Sequence, residues 1–376
     1  TDAPLPFMAL FPAALEKLIG IYFLTRLALE MFKLSPASWV SFLMMAIGAI
    51  TILLAVMMAL VQKDYKKLLS YHAISQVGYM ILGIGTALPI GIIGGLFHMF
   101  NNALYKSCLF LTGGAVEKET GTSDITQLGG LLRAMPITAA CFMVAAASIS
   151  GVPPFNGFFS KELLYDGALE RGFVFYLAAV TGSFFTAASF LKLGHAVYFG
   201  KTQKQGKEAP WPMLLPMLVL AAICILFGVC NYIPIDLIKP IFKAKVHVPG
   251  LNWMLTSITL LVLLGAVANH IFGVKRAGKA SGASDHIHYA PGLSYVYDKA
   301  ERRWFDPYVI GMWLTGILCV ILKVIDRMID WFYEVFITRL TAACSWLLRR
   351  AHNGDFSFYI VWSLVGAAVV LLVLLR

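Results

Sequence analysis

The chain has 376 residues, of which 59% are hydrophobic and only 13% are charged, whereas soluble globular proteins have about 25% charged residues. So few charges cannot solvate the surfaces of soluble domains, which excludes an ordinary soluble enzyme and an intrinsically disordered chain. The formal net charge is +10, but the basic residues lie between apolar runs and do not cluster with exposed aromatic residues. This argues against nucleic acid as a partner and indicates a protein that crosses a membrane several times.

Successive apolar runs are long enough for membrane-spanning helices, which need about 20 residues each. The runs cover 5–29, 38–62, 68–88, 90–116, 136–168, 172–199, 211–232, 251–273 and 356–376. They are too long for β-strands, and none alternates apolar and polar residues as the strands of a membrane barrel do. The sequence therefore predicts an all-α polytopic membrane protein with about nine transmembrane helices.

The loops between these runs differ in charge. Loops after the second, fourth, sixth and eighth runs contain eleven lysine and arginine residues, counted as far as Lys279. The other loops contain six when Arg26, near the end of the first run, is included. By the positive-inside rule, the first set faces the cytoplasm. The N-terminus is then cytoplasmic and the C-terminus external.

The fifth run is interrupted at its middle. Pro153 and Pro154 remove two backbone donors, and Gly151 and Gly157 are flexible on either side. The pattern predicts a discontinuous helix that breaks at membrane depth. Irregular backbone is tolerated there only inside protein or beside a wet cavity, and transporters use such breaks to build ion sites.

A charged stripe precedes the last run. Charged residues recur at steps of three and four on an otherwise apolar helix: Lys323, Asp326, Arg327, Asp330 and Glu334. A spanning helix would not carry so many charges so close together, whereas an amphipathic helix in the interface would. We predict that 306–350 forms a lateral helix about 67 Å long. It would run along the cytoplasmic surface, against neighbouring subunits.

These features divide the chain into four parts. They are a channel bundle with the broken helix (1–200), further transmembrane helices and a cytoplasmic loop (201–300), the lateral helix (301–352) and a final transmembrane anchor helix (353–376). Ionisable residues at membrane depth concentrate in the first part. Because such residues are costly there, each is a functional candidate.

Lys106 is the first candidate. Long apolar stretches on both sides keep its ammonium group from reaching either membrane surface. His98, Asn102 and Lys106 are spaced i, i+4, i+8 and fall on one helix face. Burial destabilises the charged form of a lysine, and a nearby acid stabilises it. When the two effects are balanced, the lysine can load and release a proton. The alternative is a structural lysine paired with a carboxylate.

Two further groups of candidates follow, one just after the helix break and one early in the third run. Lys161 and Glu162 follow the break by about one turn, where a lysine can reach a water-filled cavity; the alternative is a surface ion pair at a helix end. His72 lies near Ser75 and Gln76. These three residues form either a proton relay or a hydrogen-bonded contact between helices.

The remaining candidates lie in the sixth and first runs. Lys192 and His195 form either a proton exit or a pair that snorkels to the cytoplasmic surface. Glu16 and Lys17 lie in the middle of the first run, where charged side chains are costly and therefore indicate a functional role. Adjacent helical residues point about 100° apart, so spacing alone does not make them a pair.

Motifs for covalent or metal chemistry are absent from the sequence. The six cysteines form no CxxC pair, and no zinc, iron–sulfur, haem, phosphate-loop or nucleophile-elbow spacing is present. We expect no metal and no cofactor in this chain. The glycine pairs Gly94-Gly95 and Gly113-Gly114 are interpreted as close helix-packing positions. The inventory predicts a protein that moves a small cation.

Three segments resemble the antiporter-like membrane subunits of respiratory complex I, energy-converting membrane-bound hydrogenases and Mrp-type Na⁺/H⁺ antiporters. They are 62–80, 97–114, which looks like the family's lysine helix, and 152–162, which looks like its broken helix ending in Phe-Phe-Ser-Lys. The charged helix and the final span are similar to the largest such subunit, the chain 5 type of NADH dehydrogenase.

The resemblance implies roles for three of the candidates. Lys106 matches the central channel lysine, and Lys161 matches the lysine on the discontinuous helix that hands protons to the outside. His98 matches a histidine of the hydrophilic axis that connects them.

The chain also departs from the family pattern. Asn102 and Pro12 stand where complex I relatives often have histidines, and Lys17 is one residue away from a lysine that other members carry. Glu16-Lys17 and Asn101-Asn102 favour the hydrogenase branch. Family members have further helices upstream, including a glutamate and a lysine of the inlet half-channel. We therefore expect this chain to be a C-terminal portion or a split subunit.

The resemblance implies a proton- or Na⁺-translocating subunit of a redox-driven complex in a bacterial or archaeal cytoplasmic membrane. Its implied partners are the lipid bilayer, other antiporter-like and small membrane subunits, and an upstream half of the channel. Peripheral subunits would carry iron–sulfur clusters with a flavin or a nickel–iron centre. Two alternatives stay open: a stand-alone or Mrp-type cation/proton antiporter, and a structural membrane anchor with an inactive channel.

Overall fold

The structure is a computed structural model of the 376-residue chain. It describes residues 3–200, 204, 206–241, 250–288, 294–295, 298–299, 302–304, 306–352 and 354–375. Over these ranges the chain is helical and contains no β-strand, which confirms the predicted all-α fold. It divides into a larger unit, Thr1–Val309, and a smaller unit, Ile310–Arg376.

Long helices of the larger unit follow the predicted apolar runs. In chain order they are α1 (Leu5–Met31), α2 (Trp39–Val61), α3 (Tyr65–Gly85), α4 (Pro89–Thr120), α5 (Pro136–Ser150), α6 (Asn156–Arg171), α7 (Phe173–Tyr198), α8 (Trp211–Val229), the short α9 (Tyr232–Ile238) and α10 (Trp253–Ala277). Within the described ranges, seven helices, including two of the smaller unit, are long and apolar enough to cross a membrane. α3 and α4 are not among the seven, and α4 contains more buried polar side chains than any other described helix.

Residues at the helix ends set where the helices begin and stop. Ser38 Oγ accepts from the N–H of Ser41 at 3.1 Å at the start of α2, and Asp64 Oδ1 accepts from the N–H of Lys67 at 2.8 Å at the start of α3. Each cap satisfies one of the donors that a helix start leaves without a partner. α4 stops at Gly121, whose φ of +71° suits glycine.

Glycines allow α3, α4 and α6 to touch backbone to backbone. A Cβ on Gly83 would lie 2.6 Å from the carbonyl oxygen of Gly91, and a Cβ on Gly94 would lie 2.7 Å from the backbone nitrogen of Leu164. Gly167 faces Gly91 at a similar distance. A Cβ on any of the other predicted packing positions, Gly95, Gly113 and Gly114, would also meet a neighbour within 3.1 Å. The predicted close helix packing is therefore confirmed.

The predicted helix break lies between α5 and α6. Gly151 adopts a φ of +81°, a left-handed conformation that ends α5. A Cβ on Gly157 would overlap the carbonyl oxygen of Ser148, and a Cβ on Gly228 of α8 would overlap that of Pro154. The irregular segment is thus enclosed by α5, α6 and α8, as backbone without helical hydrogen bonds must be at membrane depth.

Alternate loops of the larger unit meet on one face. Tyr65 N donates to the carbonyl oxygen of Ser123 at 2.8 Å, and Gly130 N donates to that of Phe199 at 3.1 Å. We call this side the basic face; its described residues are 62–64, 121–135, 199–200, 206–210 and 278–288. These loops belong to the set that the charge count assigns to the cytoplasm.

The other loops meet on the opposite face. There Ser41 Oγ donates to the carbonyl oxygen of Gly85 at 2.6 Å, and Arg171 Nη2 donates to Ser41 Oγ at 3.1 Å. The up-and-down order that the orientation requires is therefore present. Which face is cytoplasmic stays a prediction, and the loop cations Lys201, Lys243 and Lys245 lie outside the described residues.

The smaller unit contains most of a long helix, α11, and a final helix, α12 (Phe356–Leu374). α11 runs without interruption through Pro307–Asp330, a π-helical segment Trp331–Ile337 and Thr338–Ala351. Its 44 residues from Tyr308 measure about 66 Å at 1.5 Å per residue, and the predicted charged stripe is exposed within this unit. Because α11 is also apolar enough to cross a membrane, its lateral course stays a prediction.

We expect Gly228→Ala to destabilise the protein by about 1–3 kcal/mol, because a methyl group there would push against the carbonyl of Pro154 at the break. Gly265→Ala is the matched control, since its Cβ would meet nothing closer than Phe184 Cε2 at 3.7 Å. Thermal unfolding of the purified protein in detergent measures the difference. Equal midpoints for the two variants would contradict the close packing at the break.

Candidate functional site

Fully buried polar side chains lie between the two faces of the larger unit, along α3, α4, α6 and α7. We call the following set the polar row: Lys192, His72, Gln76, Lys106, Tyr105, His98, Ser160 and Lys161. Each of these side chains is at most 1% exposed. Because these side chains are buried from bulk solvent, the partners of each group decide whether it can carry a charge.

Lys192 lies at the end of the row nearest the basic face. Its Nζ donates to the carbonyl oxygens of Leu60 at 2.5 Å and Gln62 at 3.1 Å. These carbonyls end α2, where a helix leaves acceptors without partners and carries a partial negative charge. The ammonium group is therefore satisfied inside the protein and does not snorkel to the surface.

His72 continues the row on α3. Its Nε2 lies 2.9 Å from Ser189 Oγ on α7, and its carbonyl oxygen accepts from Ser75 Oγ at 3.1 Å. Gln76 Nε2 donates in turn to Ser75 Oγ at 3.3 Å. The three residues that the sequence groups together thus form a connected chain, which also joins α3 to α7.

His98 connects this chain to α6. Its Nε2 donates to Gln76 Oε1 at 2.9 Å, and its Nδ1 lies 3.0 Å from Ser160 Oγ. Tyr105 Oη donates to the same Gln76 oxygen at 3.3 Å. A histidine bonded at both ring nitrogens can take up a proton on one side and release one on the other.

Lys106 is the exception among the buried lysines. Its Nζ has no hydrogen-bond partner in the described part of the chain, and it lies 5.8 Å from the ring centroid of Phe190. The same ring lies 4.7 Å from that of His72. A cation over an aromatic face gains about 2 kcal/mol when desolvated, far less than the cost of burying a charge. The alternative of a carboxylate partner finds no support among the described contacts.

Lys161 lies at the helix break. Its Nζ donates to the carbonyl oxygen of Ile149 at 2.8 Å and to Ser183 Oγ at 3.0 Å. Ile149 is in the last turn of α5, so the break supplies the acceptor that a continuous helix would have used internally. The lysine stem lies against Gly151, where a Cβ would come within 3.1 Å of Lys161 Cδ.

Two asparagines tie the row to the break. Asn101 Nδ2 donates to the carbonyl oxygen of Asn156, and Asn156 Nδ2 donates to Asn101 Oδ1, both at 2.9 Å. Asn156 Oδ1 also accepts from Ser148. The first residue of α6 is thereby bonded to both α4 and α5, which fixes where the second half of the broken helix starts.

Glu162 points away from Lys161, although it is the next residue. Its Oε1 accepts from Thr259 at 2.6 Å and its Oε2 accepts from Thr256 at 3.1 Å, both on α10. The carboxylate also lines a cavity of about 300 Å³ at the opposite face, together with Asp166 and Asn252. The neighbouring residues Lys161 and Glu162 therefore do not form an ion pair.

His195 forms a contact of its own outside the row. Its Nδ1 lies 3.0 Å from His270 Nε2 on α10, and both rings border a largely apolar cavity of about 510 Å³. The described contacts give no hydrogen-bonded connection from Lys192 to His195, so the geometry does not join the two residues of the predicted exit.

Three side chains that the sequence analysis singled out, Glu16, Lys17 and Asn102, lie away from the polar row. Lys17 pairs with Glu16 at 3.4 Å, and the Glu16 side chain is 63% exposed. Asn102 Nδ2 donates to the carbonyl oxygen of Ala13 at 3.4 Å, in the π-helical turn Phe11–Leu15 of α1. Residues four apart on a helix diverge by about 40°, so the spacing from His98 to Lys106 spreads these side chains over different neighbours.

Several partners were missed by reasoning from the sequence. They are Tyr105, Ser160, Ser183, Asn101, Asn156, His270, Thr256 and Thr259. His270 satisfies the rule that selected His98, a histidine within an apolar run, and was therefore detectable. The serines and threonines carry no such signal, because hydroxyl residues are ordinary in membrane helices. Among the described residues, no cluster of histidine, cysteine or acidic side chains could hold a metal ion.

We expect Lys106→Met to leave thermal stability unchanged or higher, because it removes a buried ammonium group without an acceptor and keeps the side-chain volume. Lys192→Met is the matched comparison and should cost about 1–3 kcal/mol, since it leaves the carbonyl of Gln62 without its donor and removes one of the two side-chain donors to the carbonyl of Leu60. Unfolding midpoints of the two purified variants provide the measurement. A larger loss for Lys106→Met than for Lys192→Met would contradict the assignment of partners.

Residues 1–186 match the family model described as "NADH:quinone oxidoreductase/Mrp antiporter, TM". The chain is 32% identical over 249 residues to a Na⁺/H⁺ antiporter subunit of Alkalihalophilus pseudofirmus, covering 65% of this chain and 49% of that protein. It is 27% identical over 332 residues to an NADH-quinone oxidoreductase subunit of Rickettsia typhi, covering 84% of this chain and 49% of that protein. The chain thus spans about half the length of these relatives.

A solved structure is similar over the whole chain. It belongs to the membrane-bound sulfane sulfur reductase, an archaeal respiratory membrane complex, with a TM-score of 0.61 and 24% sequence identity. The match covers 100% of this chain and 64% of that one, and it supports the fold. Together with the family match, it confirms the resemblance carried by 62–80, 97–114 and 152–162. Residues 1–186, which hold the polar row except Lys192, therefore belong to the NADH:quinone oxidoreductase/Mrp antiporter transmembrane family, and the chain is an antiporter-like integral membrane protein.

Proposed function

We propose that this chain is an ion-translocating membrane subunit of a multi-subunit, redox-driven complex, and that protons, or sodium ions, cross along the polar row. The observation that carries the proposal is Lys106, a fully buried lysine without an acceptor in the described structure. It lies between Lys192 and His72 on the side of the basic face and His98 and Lys161 on the other side.

The partners of the row support transfer in steps. Lys192 and Lys161 each donate to a carbonyl at a helix end, which stabilises their charged forms. Lys106 has no such support, so its proton occupancy responds to any charge that approaches it. A charge shift in a neighbouring subunit would therefore change the protonation of Lys106 before that of the other two lysines. Protons released there would leave through His98, Lys161 and Glu162.

The relatives suggest where the driving charge comes from. One of them is named as part of an NADH-quinone oxidoreductase, and the similar structure belongs to a respiratory membrane complex. We propose that partner subunits hold the redox centres, iron–sulfur clusters with a flavin or a nickel–iron centre, and that an upstream half-channel is supplied from outside 1–376. In this arrangement the basic face is cytoplasmic, and α11 runs along the cytoplasmic membrane surface against neighbouring subunits.

We expect Lys106→Ala to reduce coupled ion translocation by at least about tenfold in the complete complex reconstituted in vesicles, because the proton-loading group is lost. Lys67→Ala is the control, since Lys67 is exposed on α3 and should leave transport unchanged. The measurement is the pH gradient formed per redox turnover. Full coupled pumping by Lys106→Ala would overturn the role of Lys106.

A second candidate function is cation/proton antiport without a redox reaction, favoured by the similarity to the Na⁺/H⁺ antiporter of Alkalihalophilus pseudofirmus. The two functions differ in their driving force. We expect vesicles with the purified complex to form a pH gradient on addition of electron donor and acceptor, with no imposed Na⁺ gradient. A gradient that forms only in response to imposed Na⁺, whatever the redox state, would favour antiport instead.

A further inference from the structure

Glu162 and Lys161 are neighbours in the sequence but face different parts of the protein. Lys161 points to α5 and α7, where Ile149 and Ser183 accept from it. Glu162 points to α10, because successive helical residues are about 100° apart. The carboxylate is only 4% exposed, and the described contacts give it no cation. Its negative charge therefore depends on hydrogen-bond donors from α10.

Two threonines provide those donors. Thr259 Oγ1 donates to Glu162 Oε1 at 2.6 Å and Thr256 Oγ1 donates to Glu162 Oε2 at 3.1 Å. The threonines are three positions apart, so they share one helix face, and both are buried. Each carboxylate oxygen thus receives its own donor, which fixes the orientation of the group.

Ser257 lies between the two threonines and shows how a hydroxyl on α10 bonds when it does not contact Glu162. It is exposed, and its Oγ donates to the carbonyl oxygen of Trp253 on the same helix at 2.8 Å. Such a bond to the preceding turn is the usual choice of serine and threonine in helices. Thr256 and Thr259 bond across to α6 instead.

The segment that leads into α10 also borders the cavity next to Glu162. Asn252, which caps α10 by accepting from Met254 N at 3.1 Å, lines this cavity together with Leu251 and Glu162. The cavity of about 300 Å³ lies at the opposite face, where ions must leave the row. The cap of the helix that holds the carboxylate thus forms part of the wall of this cavity.

We propose that Thr256 and Thr259 are positioning residues of the ion path, which hold the Glu162 carboxylate at the outlet cavity and away from Lys161. The inference rests on the proposed function. It makes α10 a working part of the path, although α10 lies beyond the 1–186 segment that matches the family model. The polar chemistry of the outlet is then divided between the family's broken helix and a helix outside the matched segment.

The test uses two double variants in the complete reconstituted complex. Thr256→Val with Thr259→Val keeps the side-chain volume and removes both hydroxyls, whereas Thr256→Ser with Thr259→Ser keeps the hydroxyls and removes the methyl groups. We expect the valine pair to lower ion translocation by about tenfold, as expected when charge-assisted hydrogen bonds are lost, and the serine pair to stay within about twofold of wild type. A packing role would reverse this order, because serine leaves cavities and valine does not.

Ser257→Ala is the control on the same helix and should leave translocation unchanged, while Glu162→Gln reports the contribution of the carboxylate itself. Loss of translocation in Glu162→Gln with full activity in the valine pair would overturn the positioning role and leave the proposed function intact. Unchanged translocation in both Glu162→Gln and Lys106→Ala would instead overturn the proposed function and this inference with it.

Discussion

The need to give an acceptor to every charge that is buried from bulk solvent governs the larger unit of this protein. Lys161 and Lys192 meet this need in the same way, by donating to carbonyl oxygens at the ends of α5 and α2. A helix end is the place where acceptors without partners and partial negative charge coincide. Lys106 lies in the middle of the longest helix of this unit, far from either end of that helix, and has no acceptor among the described residues.

The helix break has a double consequence. It leaves the carbonyl of Ile149 free to accept from Lys161, and it lets α6 begin as a separate helix, tied to α4 through Asn101 and Asn156. Because α6 is helical from its first turn, Lys161 and Glu162 diverge. One faces the row and the other faces the outlet cavity and α10. A single interruption therefore separates a cationic site from an anionic site that are adjacent in the sequence.

Helix positions, the break and the buried lysines could be predicted, because each leaves a local signal. The apolar runs matched the helices closely, and Pro153 and Pro154 cannot lie within an unbroken helix. The partners could not be predicted, because they are set by contacts between distant segments. Nothing near Glu162 in the sequence indicates Thr256 and Thr259, and nothing near Lys192 indicates the carbonyl of Leu60. The spacing from His98 to Lys106 predicted one shared face of α4. Because several helices pack around α4, side chains on that face contact different neighbours.

The glycine contacts between α3, α4 and α6 determine which motions are available to the row. Backbones that touch at Gly83, Gly91, Gly94 and Gly167 leave no side chains to slide over one another, so these three helices move as one body. Rearrangement within the row then falls to the side chains themselves, to lysine stems and histidine rings that change rotamer. Any helix displacement in a transport cycle would therefore have to arise outside this glycine-packed core.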